Sequence, residues 1–289
     1  MNYRVGTRKS RLSLTQTKQA VEELRERTSE EFEIVDRKTL GDTEKWKSID
    51  EMDEVGVFTR ELDRALIEGE IDLAVHSTKD VPTDLPDEIE VGAILKRERP
   101  NDALIGCKLE ELGSGMTVGT GSPRREAQLL NHAENVEVVS IRGNVETRLE
   151  KVGKEVDAVV LASVGLKRLG LEEKIDEILP IDEFLPAPGQ ASLTVTCREE
   201  DEEVLELLNN IDHRRSRTEV MAEKAVLKEI GKGCSVPLGT YAETVDGKIK
   251  LTAEQAKEGE RVVLRADTEE AEKLGSEAAK KLKQRTGEI

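Results

Sequence analysis

The residue best suited to covalent chemistry is Cys234, in the run Lys232-Gly233-Cys234-Ser235-Val236-Pro237-Leu238-Gly239. Gly231 and Gly233 stop the preceding helical pattern and Pro237 forbids another, so the thiol falls on a constrained loop. Two readings are open for it: a covalent attachment point, or a small packed hydrophobe, which is how free cysteine commonly behaves. A carboxylate is the next candidate. The run HSTKDVP (76–82) begins where the apolar pattern IDLAV ends, which sets Lys79 and Asp80 on the following loop. Asp80 there either forms a salt bridge with Lys79 or serves a reaction, by stabilising developing positive charge or by moving a proton.

Cations surround these two candidates along the chain. Gly119-Thr120-Gly121-Ser122-Pro123-Arg124-Arg125 combines glycines that permit close backbone approach, a natural N-cap in Ser122, and a proline suited to the first helical turn. The free N–H groups of such a turn carry the positive end of the helix dipole, and arginines add bidentate donors. An ordinary helix cap with solvated arginines is the alternative. Arg8 and Arg11 occupy the equivalent turn of an earlier, similar segment, and Arg142 and Arg148 flank the next strand-to-helix junction. Such junctions lie at the carboxyl ends of strands, where open α/β sheets bind ligands. Arginine rather than lysine suits planar carboxylates, so the ligand class expected is a polycarboxylate or phosphate.

The elements that must position these residues alternate. Periodicity predicts strands near 3–6, 32–39 and 71–76 with helices at about 12–28 and 57–68, then strands at 116–119, 136–141 and 156–161 with helices at 123–133 and 144–152. VGTRKSR (5–11) is echoed by VGTGSPR (118–124), and Glu70-Ile71-Asp72 by Glu155-Val156-Asp157. The pattern predicts two related α/β lobes with mainly parallel sheets. The first covers 1–98 and 191–213, the strand in LPAPGQASLTVTCRE returning to it, and the second covers 99–190. Residues 214–289 predict a small α+β domain: a helix at 214–230, strands around 236–244, 248–252 and 261–267, a turn at Asp246-Gly247 and a closing helix. The charged stretch 41–56, which holds Trp46, is expected to be either a lid or a passive acidic insertion.

Composition removes several classes of function. A formal net charge of −17 with only 2% aromatic residues disfavours nucleic acid as a partner. Cys107, Cys197 and Cys234 are odd in number and far apart, which argues against disulfides and zinc. His76, His132 and His213 show no ligand spacing. No long apolar run follows the polar N-terminus, so a membrane partner is not expected and a cytoplasmic location is; a monomer is also expected.

The ordered segments GTRKS (6–10), HSTKDVP (76–82), GTGSPRR (119–125), IRGNVETR (141–148), GLKRLG (165–170), LPAPGQ (185–190) and GCSVPLG (233–239) resemble the signature set of the porphobilinogen deaminase family, also called hydroxymethylbilane synthases. That resemblance implies two lobes like those of periplasmic binding proteins plus a small C-terminal domain. It implies polymerisation of four porphobilinogen molecules into a linear tetrapyrrole with release of ammonia. A dipyrromethane cofactor would be joined to Cys234 through a thioether, its carboxylates held by Lys79, Ser10, Thr120, Ser122, Arg124, Arg125 and Arg142. Asp80 would be catalytic, contacting pyrrole N–H groups and stabilising the cation left when ammonia departs. Arg8, Arg148, Arg168, Gln16 and Gln190 would bind substrate.

Three departures from the family pattern stand out. EMDEVGVF (51–58) has Glu51 and Val55 where lysines often stand, Gly121 replaces a frequent serine, and Ala191 follows Gly189-Gln190 where glycine is usual. A two-lobed anion receptor without catalysis is the competing function. Cys234 discriminates, because a receptor has no use for an adduct there.

Overall fold

The computed structural model describes residues 1–37, 59–133, 135–231 and 236–287. The stretch 41–56 and Cys234 therefore lie outside the described residues. The chain divides into two compact units, Met1–Arg97 with Ser192–Thr218 and Glu98–Ala191 with Glu219–Ile289.

The first unit is built on strands β1 (Asn2–Arg8), β2 (Glu31–Arg37), β3 (Leu73–Ser77), β4 (Ile89–Ile94) and β10 (Leu193–Arg198) in the order β2-β1-β3-β10-β4. β1 pairs in parallel with β2 and β3, whereas β10 runs against both β3 and β4. Helices α1 (Arg11–Arg27) and α6 (Glu202–Asn209) cover one face and α2 (Arg60–Ile67) the other, each through its apolar stripe. Ser10 caps α1, its Oγ accepting from Ser13 N at 3.1 Å.

The second unit repeats the plan with β5 (Asp102–Ile105), β6 (Thr117–Gly119), β7 (Glu137–Val139), β8 (Ala158–Ala162) and β9 (Glu177–Ile178), ordered β7-β6-β8-β5-β9. Here β5 is the strand that runs against its neighbours, β8 and β9. The helices are α3 (Pro123–His132), α4 (Val145–Leu149) and α5 (Ser163–Leu169). The sequence echo has a physical basis. Arg4 N donates to Asp72 Oδ2 at 2.8 Å while Asp72 N donates back to Arg4 O, and Thr117 N and Asp157 make the same exchange. Each aspartate staples the start of one parallel strand to its neighbour. The two α/β lobes with mainly parallel sheets expected from the sequence are thus present, each sheet having its strands run mainly one way with one reversed.

The rest of the second unit is a three-stranded antiparallel sheet, β11 (Leu238–Val245), β12 (Lys248–Gln255) and β13 (Glu260–Asp267), with helices α7 (Arg214–Ile230) and α8 (Ala271–Thr286); the first residues of α7 belong to the first unit. Asp246 and Gly247 have φ of 50° and 76°, the paired left-handed values of a two-residue hairpin turn. At Gly275 a Cβ would lie 2.3 Å from Ala222 O, so α8 can approach α7 only through glycine. Ile230 and Val236, on either side of the cysteine segment, are both buried in this core.

Candidate functional site

In the first unit β1 and β3 end at one edge. β1 delivers Arg8, and β3 runs into a single 3-10 turn, Thr78–Asp80, which carries Lys79 and Asp80 half-buried. The base of that turn is tied down on two sides. Gln16, buried on α1, donates Nε2 to Ser77 Oγ at 2.8 Å, and Thr78 is linked through its hydroxyl to Thr194 Oγ1 at 2.9 Å and through its N–H to Ser192 O at 3.1 Å. The edge therefore brings together Arg8, Ser10, Gln16, Lys79 and Asp80, with the turn backbone held by groups other than the Asp80 carboxylate.

His76, just below the turn, bonds Thr196 Oγ1 through Nε2 at 3.1 Å. Burial pushes its imidazole down to about 4, with the Arg8 charge adding to the shift. An imidazole kept neutral in the fold gains a proton more readily when unfolded. Its contribution is therefore full above its unfolded value near 6.5 and is lost as pH falls from there towards 4. Up to about 3 kcal/mol of stability should disappear over that window. Denaturant midpoints at pH 7, 5 and 4 should show this loss in the wild type and a smaller one in His76→Gln. Parallel pH profiles for the two proteins would refute it.

In the second unit the turn between β6 and α3 passes close to Ile141. A Cβ on Gly119 would lie 2.8 Å from Ile141 Cδ1, and one on Gly121 2.9 Å from Ile141 O. Glycine at 121 is thus required by this backbone path, where a serine would force a shift. Thr120 N donates to Val139 O and Ile141 N to Thr120 O, and Thr120 Oγ1 accepts from Ser122 N at 3.2 Å. Ser122 is the N-cap of α3, with Pro123 opening the helix, but its hydroxyl makes no capping bond. Arg142 follows β7 and is exposed. Arg148, on α4, donates Nε to Gly143 O at 2.8 Å.

Arg124 and Arg125 are placed differently from an open cradle. Both are buried, and they meet on Asp102, which is 0% exposed. Arg124 Nη1 donates to Asp102 Oδ2 at 2.8 Å, to Gln128 Oε1 and to Leu185 O; Arg125 donates Nη2 to Asp102 Oδ1 at 2.7 Å and Nη1 to Val160 O. Gln190 Nε2 adds bonds to Asp102 Oδ1 at 2.9 Å and to Pro100 O. Burial alone would raise the Asp102 carboxyl, but the two guanidinium groups outweigh it and hold it well below the usual carboxylate range. Burial likewise pulls the Arg124 guanidinium down, opposed by Asp102. Arg168 is engaged by Glu98 Oε1 at 3.1 Å and by Ala191 O at 3.3 Å.

Three of these partners were not anticipated. Asp102 had a visible signal, a carboxylate leading the apolar strand run Ala103-Leu104-Ile105. Glu98, which also pairs with Lys167, sits in a charged stretch with no signal of its own. Glu223, 0% exposed on α7, accepts from Gly189 N and from Ala242 N, each at 2.7 Å, and so joins the LPAPGQ segment to β11. Its signal was a polar residue on the face that also buries Ala222 and Val226.

Among the described residues no group of His, Cys, Asp or Glu could hold a metal ion, and no helix is long and apolar enough to cross a membrane. Two family models match the chain: the porphobilinogen deaminase dipyrromethane cofactor-binding domain over residues 3–206 and the porphobilinogen deaminase C-terminal domain over 217–284. A porphobilinogen deaminase of Desulforamulus reducens is 42% identical over 287 residues, covering 96% of this chain and 93% of the relative. A probable porphobilinogen deaminase of Methanopyrus kandleri is 45% identical over 250 residues, covering 84% of each chain. Among solved structures, the periplasmic VFT2 domain of Bordetella pertussis BvgS aligns at a TM-score of 0.43 and 17% identity, over 73% of this chain and 86% of that one.

Proposed function

The chain belongs to the porphobilinogen deaminase family, and on that premise we propose that Cys234 anchors the dipyrromethane on which it builds its product. The enzyme is a transferase with a dipyrromethane cofactor, and it joins four porphobilinogen molecules head-to-tail into hydroxymethylbilane with release of ammonia. The receptor alternative falls away with membership of an enzyme family. The proposal divides the chain into 1–98 with 191–213, 99–190, and 214–289 carrying Cys234, and extends to a cytoplasmic monomer without nucleic-acid or membrane partners.

The donor set fits that cofactor. A dipyrromethane bears carboxylate arms, and the start of α3 offers backbone N–H groups at the positive end of a helix dipole, the hydroxyl of Ser122, which makes no capping bond, and exposed Arg142 on the adjoining segment. Bound there, the cofactor supplies the pyrrole to which new units are joined. Thr120 and Ser122 with Arg142 in the second unit, and Ser10 with Lys79 in the first, are the groups proposed to hold carboxylates. Arg124 and Arg125 enter that set with only part of their donor capacity, since Asp102 and backbone carbonyls hold their Nη groups. Arg8, Arg148, Arg168, Gln16 and Gln190 are the proposed substrate contacts. Asp80 accepts hydrogen bonds from pyrrole N–H groups and stabilises the cation left on the substrate as ammonia departs.

The observation that carries this reading is the Asp80 carboxylate, on the turn that also carries Lys79 and at the strand edge where Arg8 ends β1, in a chain that matches this family throughout. Intact-mass spectrometry should find the purified protein heavier than its sequence by one dipyrromethane, and porphobilinogen should be consumed with release of ammonia. A protein of bare sequence mass that leaves porphobilinogen unchanged would overturn the reading.

A further inference from the structure

We infer that Asp102 is a positioning residue that sets the guanidinium groups of Arg124 and Arg125 for carboxylate binding, an inference that rests on the ligand roles proposed above. Topology puts it in place. β5 is the reversed strand of its sheet, so its first residue, Asp102, lies in register with Ala162, the last residue of β8, at the edge where β6 and β8 end. A strand running the other way would have placed this carboxylate at the opposite edge.

Neighbouring guanidinium groups repel, and without a shared anion one of them would turn towards water. Asp102 prevents this by giving one oxygen to each, while Gln190 pins the oxygen that Arg125 uses. The carboxylate does not cancel the charge it organises, because one negative group faces two positive ones. The next acid along the chain of contacts is Glu254, which accepts from Gln128 at 3.1 Å and is already paired with Arg261 at 3.2 Å. The Nε–H of both Arg124 and Arg125 is buried without an acceptor among the described residues. The cluster is therefore held rigidly, positive overall and short of acceptors. A carboxylate-bearing ligand has the sign and the chemistry it lacks.

Asp102→Asn separates positioning from simple neutralisation. If Asp102 only neutralised charge, its loss would make the cluster more positive and tighten carboxylate binding. If it positions the arginines, the cofactor is held less well: the fraction of protein carrying the adduct, and the rate per total protein that depends on it, should fall roughly tenfold or more. Arg125→Gln should cause a similar loss. The double variant Asp102→Asn/Arg125→Gln should match Arg125→Gln within about twofold, because Arg124 is held by Gln128 Oε1 and Leu185 O as well, so most of what the aspartate does passes through Arg125. That double variant also restores the cluster's net charge, so it remains readable against Arg125→Gln if Asp102→Asn alone does not fold. Wild-type adduct content and rate per total protein in Asp102→Asn, or a further tenfold loss in the double variant, would overturn the inference. A wild-type chain with neither adduct nor turnover overturns the function itself, and this inference with it.

Discussion

Cys234→Ser accumulates as folded protein, has the bare mass of its sequence, and releases no ammonia from porphobilinogen. This is the largest effect expected of any single substitution, because every later addition depends on the anchored primer. Serine keeps the size and loop chemistry of cysteine but offers a far weaker nucleophile at neutral pH. The other thiols cannot substitute for it. Cys197 is buried in the first unit's core, where burial and then Glu90 push its thiol up to about 12; the Cys107 thiol is also raised, by burial first and then by Glu111. A thiol so far from ionisation is inert towards an electrophile. Cys107→Ala and Cys197→Ala should therefore keep adduct and turnover, alanine being preferable to serine because it leaves no hydroxyl in an apolar core. An active Cys234→Ser enzyme of bare sequence mass would refute the anchor.

Asp80→Asn should lose roughly 10²–10⁴ in kcat, the range for a positioned electrostatic or acid–base group. The structure favours a clean result. The turn that carries Asp80 is held by Gln16 and Thr194 through the side chains of Ser77 and Thr78, so an isosteric amide removes charge without releasing the backbone. Adduct content and the thermal midpoint should stay near wild type, with KM changing less than kcat. Near-normal turnover would instead make Asp80 a structural partner of Lys79.

The contrast between Asp80 and Asp102 shows what a sequence can reveal here. Asp80 was legible because it sits on the turn that directly follows a strand, a placement that the local pattern encodes. The same holds for α1, α3, α7 and the hairpin at Asp246-Gly247, whose caps and turn residues lie within a few positions of the elements they bound. Strands β4, β5 and β9 were not assigned; each is fixed by pairing with a segment distant in the chain rather than by a local pattern. The destination of the Arg124 and Arg125 side chains was not legible for a related reason. The position of Asp102 depends on β5 being reversed in its sheet, a pairing between distant segments that no local pattern encodes. Both readings of the sequence left these arginines facing a ligand or water, whereas their side chains close on a residue more than twenty positions upstream.

The same reversal bears on the order in which the chain leaves the ribosome. In the second sheet the reversed strand, β5, is synthesised first, so its neighbours β8 and β9 emerge with that partner already present. In the first sheet it is synthesised last: β10 lies between β3 and β4, and until Arg198 has emerged those two strands have a gap between them and unpaired edges. Exposed strand edges invite pairing with other chains. Nascent chains halted between Ile94 and Leu193 thus carry an incomplete N-terminal sheet, and stalled or prematurely terminated products of this length are the natural substrates for chaperones and proteases.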